Sequence, residues 1–246
     1  MAPLLIRKKY EDDDTAVHIA SLFETQYDII GELVRAGAPV NSQNCFNETP
    51  LFVAVENENA RNARKLVSLG ARSDKIESRR GKTPIHVATI NDDFTMLKLL
   101  TRRNSVDVNI MDQDGKTPLS YAIIRNSRPA VQHLLELGAD TSLKDGKGLN
   151  ALHMSVMFQN ADITADVLTV ANESLINERT VEGKSPLLIA VDRQSKNFDT
   201  NAFKMIDILL QSGADPHQKN NSGETAIELA CNRGVDLETR LTAKPS

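Results

Sequence analysis

The sequence has no tryptophan, and aromatic residues make up only 4% of its 246 residues. Its two cysteines, Cys45 and Cys231, lie far apart and belong to no Cys-x-x-Cys pair. We therefore expect neither a disulfide framework nor a secreted protein. No apolar run approaches the roughly 20 residues that a membrane-spanning helix needs, and the short run near the N-terminus is followed by acids. These absences predict a soluble protein without membrane insertion, located in the cytoplasm, with the nucleus as the alternative.

The chain also lacks a large excess of either charge. Its net charge is −4, which argues against a nucleic-acid ligand, because nucleic-acid-binding proteins are usually basic. Residues 61–103 are an exception, with eleven Lys or Arg residues against four Asp or Glu residues. Such a band can steer an acidic partner, although it can equally be the solvated side of exposed helices. Both interpretations stay open from the sequence alone.

What the sequence does contain is a repeated motif. Thr-Pro-Leu-Phe-Val-Ala begins at Thr49, Thr-Pro-Ile-His-Val-Ala at Thr83 and Thr-Pro-Leu-Ser-Tyr-Ala at Thr117. Weaker copies align their Thr, Asn or Ser at Thr15, Asn150, Ser185 and Thr225. The intervals between successive copies are 34, 34, 34, 33, 35 and 40 residues. A fixed period in this range predicts an array of stacked repeats.

The motif has a physical explanation. A Thr, Ser or Asn side chain accepts a hydrogen bond from a free N–H at the start of a helix, and Pro suits the next position because no N–H is needed there. Apolar residues at helical spacing follow each motif, and Gly-Ala pairs such as Gly37-Ala38 and Gly138-Ala139 end most of the second helices. Each repeat is therefore predicted to contain two helices followed by a turn.

With this period and the Thr-Pro-Leu-His-x-Ala pattern, the chain resembles the ankyrin-repeat family. The resemblance implies an all-α solenoid of helix–turn–helix repeats joined by β-hairpin fingers. It also implies that the histidines at one motif position, His18, His86 and His153, form hydrogen bonds between neighbouring loops. The family pattern names the fold without naming the ligand.

The repeat register divides the chain into three parts. Residues 1–13 form a lead-in, residues 14–235 form about seven repeats, and residues 236–246 form a frayed tail. The repeats start near residues 14, 48, 82, 116, 149, 184 and 224. The longest interval places extra polar residues at 194–201, between the two helices of repeat six. Because a solenoid has exposed ends, we expect the first and last repeats to be polar caps.

Motifs that suggest chemistry are weak. Gly-Lys-Thr or Gly-Lys-Ser triplets start at Gly81, Gly115 and Gly183, but none has the upstream Gly of a phosphate-binding loop. The three motif histidines belong to non-adjacent repeats and cannot share a metal ion. No nucleophile motif or acid pair stands out. We expect no enzymatic activity, no cofactor and no metal site.

The resemblance implies that a partner binds to the fingers and the exposed ends of the first helices. Fingertip positions include Glu48 and Glu77, and later Lys144, Lys147, Arg179, Val181 and Lys184. Apolar residues at the ends of the first helices are predicted to form a stripe that anchors a protein or peptide, beside basic residues that pair with its acids. The predicted partner-binding residues are Phe46, Arg79, Arg80, Lys82, Ile90, Met111, Gln113, Lys116, Ile124, Arg125, Met157 and Phe158.

Several functions fit this prediction. A monomeric adaptor or scaffold is the main hypothesis. Residues 12–20, Asp-Asp-Asp-Thr-Ala-Val-His-Ile-Ala, resemble the opening of some inhibitor-of-NF-κB-like proteins, which favours a regulator of a transcription factor. A regulatory domain of a larger protein and a nucleic-acid binder are the remaining alternatives. Asn41 also resembles the asparagine that is hydroxylated in many ankyrin domains, which predicts a modification site.

Overall fold

A computed structural model describes residues 11–24, 27–102, 106–172, 174–192 and 200–232. In these ranges the chain forms thirteen α-helices in stacked pairs, which confirms the predicted helical repeat fold. Of the predicted insertion at 194–201, residues 200 and 201 belong to the second helix of the sixth pair, Thr200–Gln211, and residues 194–199 lie outside the described ranges. Most of the lead-in and the whole predicted tail also lie outside them.

The helices alternate between two kinds. The first helix of every repeat has seven residues and begins directly after the Thr, Ser or Asn of the motif. These helices are α1 Ala16–Leu22, α3 Pro50–Glu56, α5 Pro84–Ile90, α7 Pro118–Ile124, α9 Ala151–Met157, α11 Pro186–Asp192 and α13 Ala226–Asn232. The second helices are α2 Ile29–Arg35, α4 Ala60–Ser68, α6 Phe94–Leu100, α8 Arg128–Glu136, α10 Ala161–Leu168 and α12 Thr200–Gln211. Short 3₁₀ turns cover Glu11–Asp13 and Leu175–Asn177.

The predicted caps start the first helices. The side chain of Thr49 accepts a hydrogen bond from the N–H of Phe52 at 3.2 Å, and Asn150 accepts one from His153 at 3.0 Å. Four of the second helices use Asp or Asn in the same way, for example Asp28 at the start of α2, whereas the Ser127 side chain forms no such bond at the start of α8. A side-chain cap satisfies an N–H that the helix itself leaves without a partner. The motif therefore fixes where the first helix of each repeat begins.

The chain divides into two compact units, Met1–Pro118 and Leu119–Ser246. In the first unit, α1, α3 and α5 pack in sequence, and so do α2, α4 and α6. In the second unit, α9, α11 and α13 form one row, and α8, α10 and α12 form another. Each unit has its own core of fully buried aliphatic side chains. They include Leu51, Leu66, Ile85 and Leu97 in the first unit, and Leu134, Leu152, Ile163 and Leu187 in the second.

The three motif histidines join neighbouring repeats, as the resemblance implies. Each ring is fully buried, and its Nδ1 accepts a hydrogen bond from the N–H of the residue that caps its own helix. Its Nε2 then donates to a backbone carbonyl of the next finger: His18 to Glu48 at 2.9 Å, His86 to Lys116 at 3.1 Å and His153 to Glu178 at 2.9 Å. These bonds connect the buried helices of one repeat to the exposed finger of the next.

The fingers differ from the predicted β-hairpins. Each described finger is a tight turn closed by a few backbone bonds, such as those from Asp112 N–H to the Lys116 carbonyl and from Gly115 N–H to the Asp112 carbonyl, both at 2.9 Å. The Asp112 side chain also accepts the N–H groups of Asp114 and Lys116, both at 2.9 Å. With so few paired residues no ladder can form, and the described ranges contain no β-strand. The side-chain acceptor inside the turn replaces the missing strand bonds.

The first repeat is less polar than expected of a cap. Phe23 is 63% exposed and Tyr27 is 70% exposed, and Leu22 and Ile29 beside them also face solvent. The expectation that both terminal repeats are polar is therefore wrong for the first repeat.

None of the helices in the described ranges is long and apolar enough to cross a membrane.

The buried histidines predict that stability falls in mild acid. Burial lowers the pKa of His86 and His153 from the ordinary value of 6.5, because the rings are desolvated, although their carbonyl partners oppose the shift. The unfolded chain then binds more protons than the folded chain as the pH drops below 6.5. Each histidine should cost up to about 1.4 kcal/mol of unfolding free energy per pH unit in that window.

Urea unfolding at about pH 7.5 and about pH 5.5 measures this loss. The matched variant His86→Gln removes one titrating group and should show a smaller difference between the two pH values, although it is less stable at both. An equal difference in the wild type and the variant would contradict a role for His86 protonation.

Candidate protein-interaction surface

The candidate surface in each unit consists of the fingers and the last turn of the first helices, which we call the finger face. The last residue of each first helix occupies the same register position in every repeat. In the first unit this position holds Leu22, Glu56 and Ile90. In the second unit it holds Ile124, Met157, Asp192 and Asn232. The position is therefore charged in some repeats and apolar in others.

The finger face of the first unit contains a groove of about 250 Å³, which we call the charged groove. It lies between the ends of α3 and α5 and the finger that precedes α5. Apolar side chains and a mixture of acids and bases line it. The lining residues are Glu48, Phe52, Glu56, Glu77, Arg79, Arg80, Lys82, Val87, Ile90 and Asn91.

Two acids of the charged groove serve the fold. Glu77, predicted as an exposed fingertip, is only 4% exposed, and its carboxylate accepts the N–H groups of Arg79, Arg80 and Lys82 at 2.6, 2.7 and 3.0 Å. Glu48, also predicted as a fingertip, is buried and accepts a hydrogen bond from Asn44 at 2.8 Å. The family register places both residues at fingertips, but the structure buries both, because each carboxylate is used within or beside its own turn.

Arg79 is held in place on the rim of the charged groove. Its guanidinium lies 3.5 Å from the centre of the Phe46 ring and 3.6 Å from a carboxylate oxygen of Glu48. Stacking on a ring face and pairing with a carboxylate both restrict this side chain before any partner arrives. Arg79 is therefore a preorganised part of the groove wall, and part of its charge is already compensated.

Glu56 and Arg80 are the available charges of the charged groove. Neither side chain forms a hydrogen bond or ion pair that the described structure records. Desolvation raises the pKa of Glu56 above its ordinary value of 4.5, and the nearby negative charges of Glu48 and Glu77 add to this, while Arg79 and Arg80 oppose it. A cation brought by a partner would be favoured beside Glu56, and an anion beside Arg80.

The finger face of the second unit has a groove in the same register, which we call the apolar groove. It measures about 480 Å³ and lies between the ends of α9 and α11 and the finger that precedes α11. Its sides are largely aliphatic, with charged residues at the edges. The lining residues are Gly146, Lys147, Leu149, Met157, Thr180, Val181, Glu182, Lys184, Ile189 and Asp192.

The other predicted binding residues have different surroundings. Met111 and Phe158 are exposed, while Ile90, Ile124 and Met157 are half-buried. Gln113 partly serves the fold, since its side chain donates to the Ser78 carbonyl at 3.2 Å. Further predicted residues at the surface are Lys116, whose ammonium lies 3.2 Å from Asp114, and the exposed Arg125.

The predicted apolar stripe is divided between the two units. Ile90 belongs to the first unit, whereas Ile124, Met157 and Phe158 belong to the second. Ile90 lines the charged groove and Met157 lines the apolar groove. Asp192, which sequence reasoning did not select, could have been found because it shares the register position of Glu56 and Met157.

The basic band at 61–103 is also divided between surfaces. Arg79 and Arg80 lie on a finger, whereas Arg61 and Arg64 lie on α4 and line a separate surface between α2 and α4. Lys98 is on another second helix, α6. The band therefore does not form a single basic patch. In the described ranges, no group of three or more His, Cys, Asp or Glu side chains is placed to hold a metal ion.

Asn41 bridges two repeats. Its side-chain oxygen accepts the N–H of Arg72 at 2.8 Å, and its side-chain nitrogen donates to the Gly70 carbonyl at 3.3 Å. Asn177 makes the same two bonds in the second unit, to the carbonyl of Gly213 at 3.1 Å and from Asp215 N–H at 2.7 Å. Both amides thus tie the end of one second helix to the preceding turn.

Comparisons with known proteins agree with this geometry. The family model for ankyrin repeats in three copies matches residues 69–145 and again 126–220, together more than half of the chain. NF-kappa-B inhibitor zeta from Mus musculus is 25% identical over 223 residues, which cover 89% of this chain and 30% of that protein. A putative palmitoyltransferase, ZDHHC13, from Danio rerio is 29% identical over 137 residues, which cover 44% of this chain and 21% of that protein.

A solved structure is similar over nearly the whole chain. The ankyrin repeat domain of Bcl-3, described as a unique member of the IkappaB protein family, superposes with a TM-score of 0.75 at 28% identity. The match covers 93% of this chain and 99% of that domain. In contrast, the chain spans less than a third of the length of the two curated relatives above.

The charged groove predicts an elevated pKa for Glu56 that depends on its neighbours. Glu48→Gln removes a negative charge and should lower the pKa of Glu56, whereas Arg79→Ala removes a positive charge and should raise it further. The carboxyl carbon shift of Glu56, followed by NMR against pH, measures both changes. Shifts of the same sign in the two variants would contradict the proposed arrangement of charges.

Hydroxylation of Asn41 stays a prediction that mass spectrometry can check. The protein isolated from native tissue should carry one added oxygen on the peptide that contains Asn41. Asn177, which makes the same two bonds, is the internal comparison. An unmodified Asn41 peptide from that source would contradict the prediction.

Proposed function

Because the chain belongs to the ankyrin-repeat family, whose domains are generally protein-binding modules, we propose that it is a non-catalytic adaptor or scaffold that binds a protein or peptide on its finger face. The observation that supports this most strongly is the presence of large apolar side chains among polar fingertips and helix ends. Met111, Phe158 and Val181 are all exposed there. Apolar groups of this kind commonly anchor a partner.

The polar groups of the finger face support binding rather than catalysis. Glu48 and Glu77 are occupied by the turns that they stabilise, and His86 is occupied at both ring nitrogens. A general base must instead be able to reach a substrate proton. Arg80 and Glu56 remain available, and they are suited to ion pairs with a partner.

A narrower candidate is a regulator of a Rel-type transcription factor, as in NF-kappa-B inhibitors. The similarity to the Bcl-3 domain and to NF-kappa-B inhibitor zeta favours it. The opening motif at residues 12–20 adds little, since its residues serve the fold. The Asp12 carbonyl accepts the Cys45 N–H at 2.9 Å, and Thr15 and His18 form a helix cap.

A regulatory domain of a larger protein is the other candidate, and the short share of each curated relative that the chain spans favours it. The division of the basic band between separate surfaces removes the main support for a nucleic-acid ligand. We propose a cytoplasmic or nuclear location and a monomeric state for the repeats, in keeping with a binding module.

Phe158→Asp and Ile124→Asp test the proposed function. The partner captured by the wild type from native lysate would be identified and purified, and its dissociation constant measured for each variant. If the partner buries these side chains on binding, a charge at either position should weaken binding at least about tenfold. Val170→Asp is the matched control, because Val170 is exposed after the second helix α10 and should leave affinity unchanged.

Circular dichroism of each variant checks that the helices remain intact. Unchanged affinity in both finger-face variants would reject this face as the binding surface. A purified Rel-type dimer, offered to the same set of variants, tests the narrower candidate, and the absence of binding to the wild type would exclude it.

A further inference from the structure

We propose that the apolar groove of the second unit binds an aliphatic side chain of a partner peptide that carries a carboxylate beside it, on the Lys147 side. This inference rests on the proposed function and specifies the partner chemistry at one part of the finger face. It depends on three features of the groove: an exposed valine on a rigid finger, an aliphatic floor and one available cation.

The groove presents a continuous aliphatic surface. Leu149 and Ile189 form its buried floor, and Met157 at the end of α9 forms a half-buried wall. Val181 stands on the finger that precedes α11 and is 72% exposed, the highest value among the exposed large apolar side chains of the described ranges. Its burial by a partner would remove this surface from water, which favours an aliphatic ligand group.

The fold does not require an aliphatic residue at position 181. The finger is closed by backbone bonds from Thr180 N–H to the Lys184 carbonyl at 3.0 Å and from Gly183 N–H to the Thr180 carbonyl at 2.8 Å, and the Thr180 hydroxyl accepts the Lys184 N–H at 3.2 Å. Counted back from the capping residue, the corresponding position in the charged groove of the first unit is Arg79, on a finger that is one residue longer and is closed from Glu77 N–H to the Lys82 carbonyl at 2.9 Å. The fold therefore leaves the side chain at this position available for contact with a ligand.

The finger that carries Val181 is preorganised. Arg179 donates to the Gly183 carbonyl at 3.0 Å and to the side-chain oxygen of Asn221 at 2.9 Å. Asn221 in turn donates to the Val181 carbonyl at 3.1 Å. A finger fixed by three such bonds loses little conformational entropy on binding, so more of the contact energy appears as affinity.

The charges at the edges give the ligand a direction. The Lys147 ammonium forms no ion pair that the described structure records, so it can accept a new carboxylate. At the other edge, Lys184 already lies 2.7 Å from Asp192 and 3.2 Å from Glu182. Two acids share that one base, so a ligand carboxylate there would be repelled. The complementary peptide therefore has its acid on the Lys147 side only.

The chemistry also distinguishes this groove from its counterpart in the first unit. At equivalent register positions the charged groove has Glu56 where the apolar groove has Met157, and Glu48 where the apolar groove has Leu149. A partner segment with an aliphatic anchor thus fits the second unit and would leave the available Glu56 desolvated in the first.

A phage-displayed library of random peptides, selected on the wild-type protein, tests the inference. Enriched peptides should share an aliphatic residue next to Asp or Glu. Synthetic copies should bind Val181→Lys and Met157→Lys at least about tenfold more weakly than the wild type, whereas Val170→Lys should bind them normally. Val181 and Val170 are both exposed, so neither substitution should disturb the core.

A charge exchange tests the direction. Lys147→Glu should weaken binding of the acidic peptides several-fold and improve binding of copies in which the acid is replaced by Lys. If the enriched peptides bind the Val181, Met157 and Lys147 variants as tightly as the wild type, the inference would be overturned and the proposed function would remain intact. If the selection enriches no peptide that binds to the finger face, the result would count against both the inference and the proposed function.

Discussion

The hydrogen bond from a buried histidine to the next finger connects the core of each repeat to the surface that meets a partner. His86 shows why the connection is strong. The ring is fully buried, its Nδ1 accepts an N–H within its own cap, and its Nε2 must therefore be the protonated nitrogen that donates to the Lys116 carbonyl. A buried polar group without a partner is costly, so the finger carbonyl is held where the ring needs it. The position of the finger follows from the packing of the helix.

This connection matters because a solenoid has only local contacts. Within each unit the described helices of a repeat pack against those of the next repeat, so the position of each repeat depends on the repeats beside it. The fingers have few bonds of their own, one or two backbone bonds and a side-chain acceptor in the turn. Backbone hydrogen bonds also link neighbouring fingers, for example the bond from Ser78 N–H to the Phe46 carbonyl at 2.8 Å. The rigidity of the finger face thus derives from stacking and from a few side chains that bridge neighbouring fingers, such as Gln113 and Asn221.

The fold could be predicted from the sequence because the same local signals occur in every repeat. Thr49 and Pro50 indicate where a helix begins, and the motif histidines indicate how neighbouring repeats are joined. Both signals are visible in a short stretch of sequence. The site was less predictable, because its properties arise between repeats. Glu48 and Glu77 look like solvent-exposed acids in the sequence, and only the turn geometry shows that backbone or side-chain donors occupy them. The stacking of Arg79 on Phe46 joins residues from different fingers, and no local pattern indicates it.

The separation between a fixed finger backbone and variable tip residues explains how one fold carries two different grooves. In the apolar groove, Arg179 and Asn221 hold the finger backbone while Val181 points to solvent, and in the charged groove Glu77 holds the backbone while Arg79 occupies the equivalent position. A change at the tip therefore alters the bound chemistry at little cost in folding free energy, because the bonds that shape the finger come from other residues. The reverse also holds: a substitution at Glu77 or Asn221 would move the tip and change binding without touching a ligand. Specificity in this protein is accordingly set at two levels, by the tip residue that meets the partner and by the buried or bridging residue that aims it.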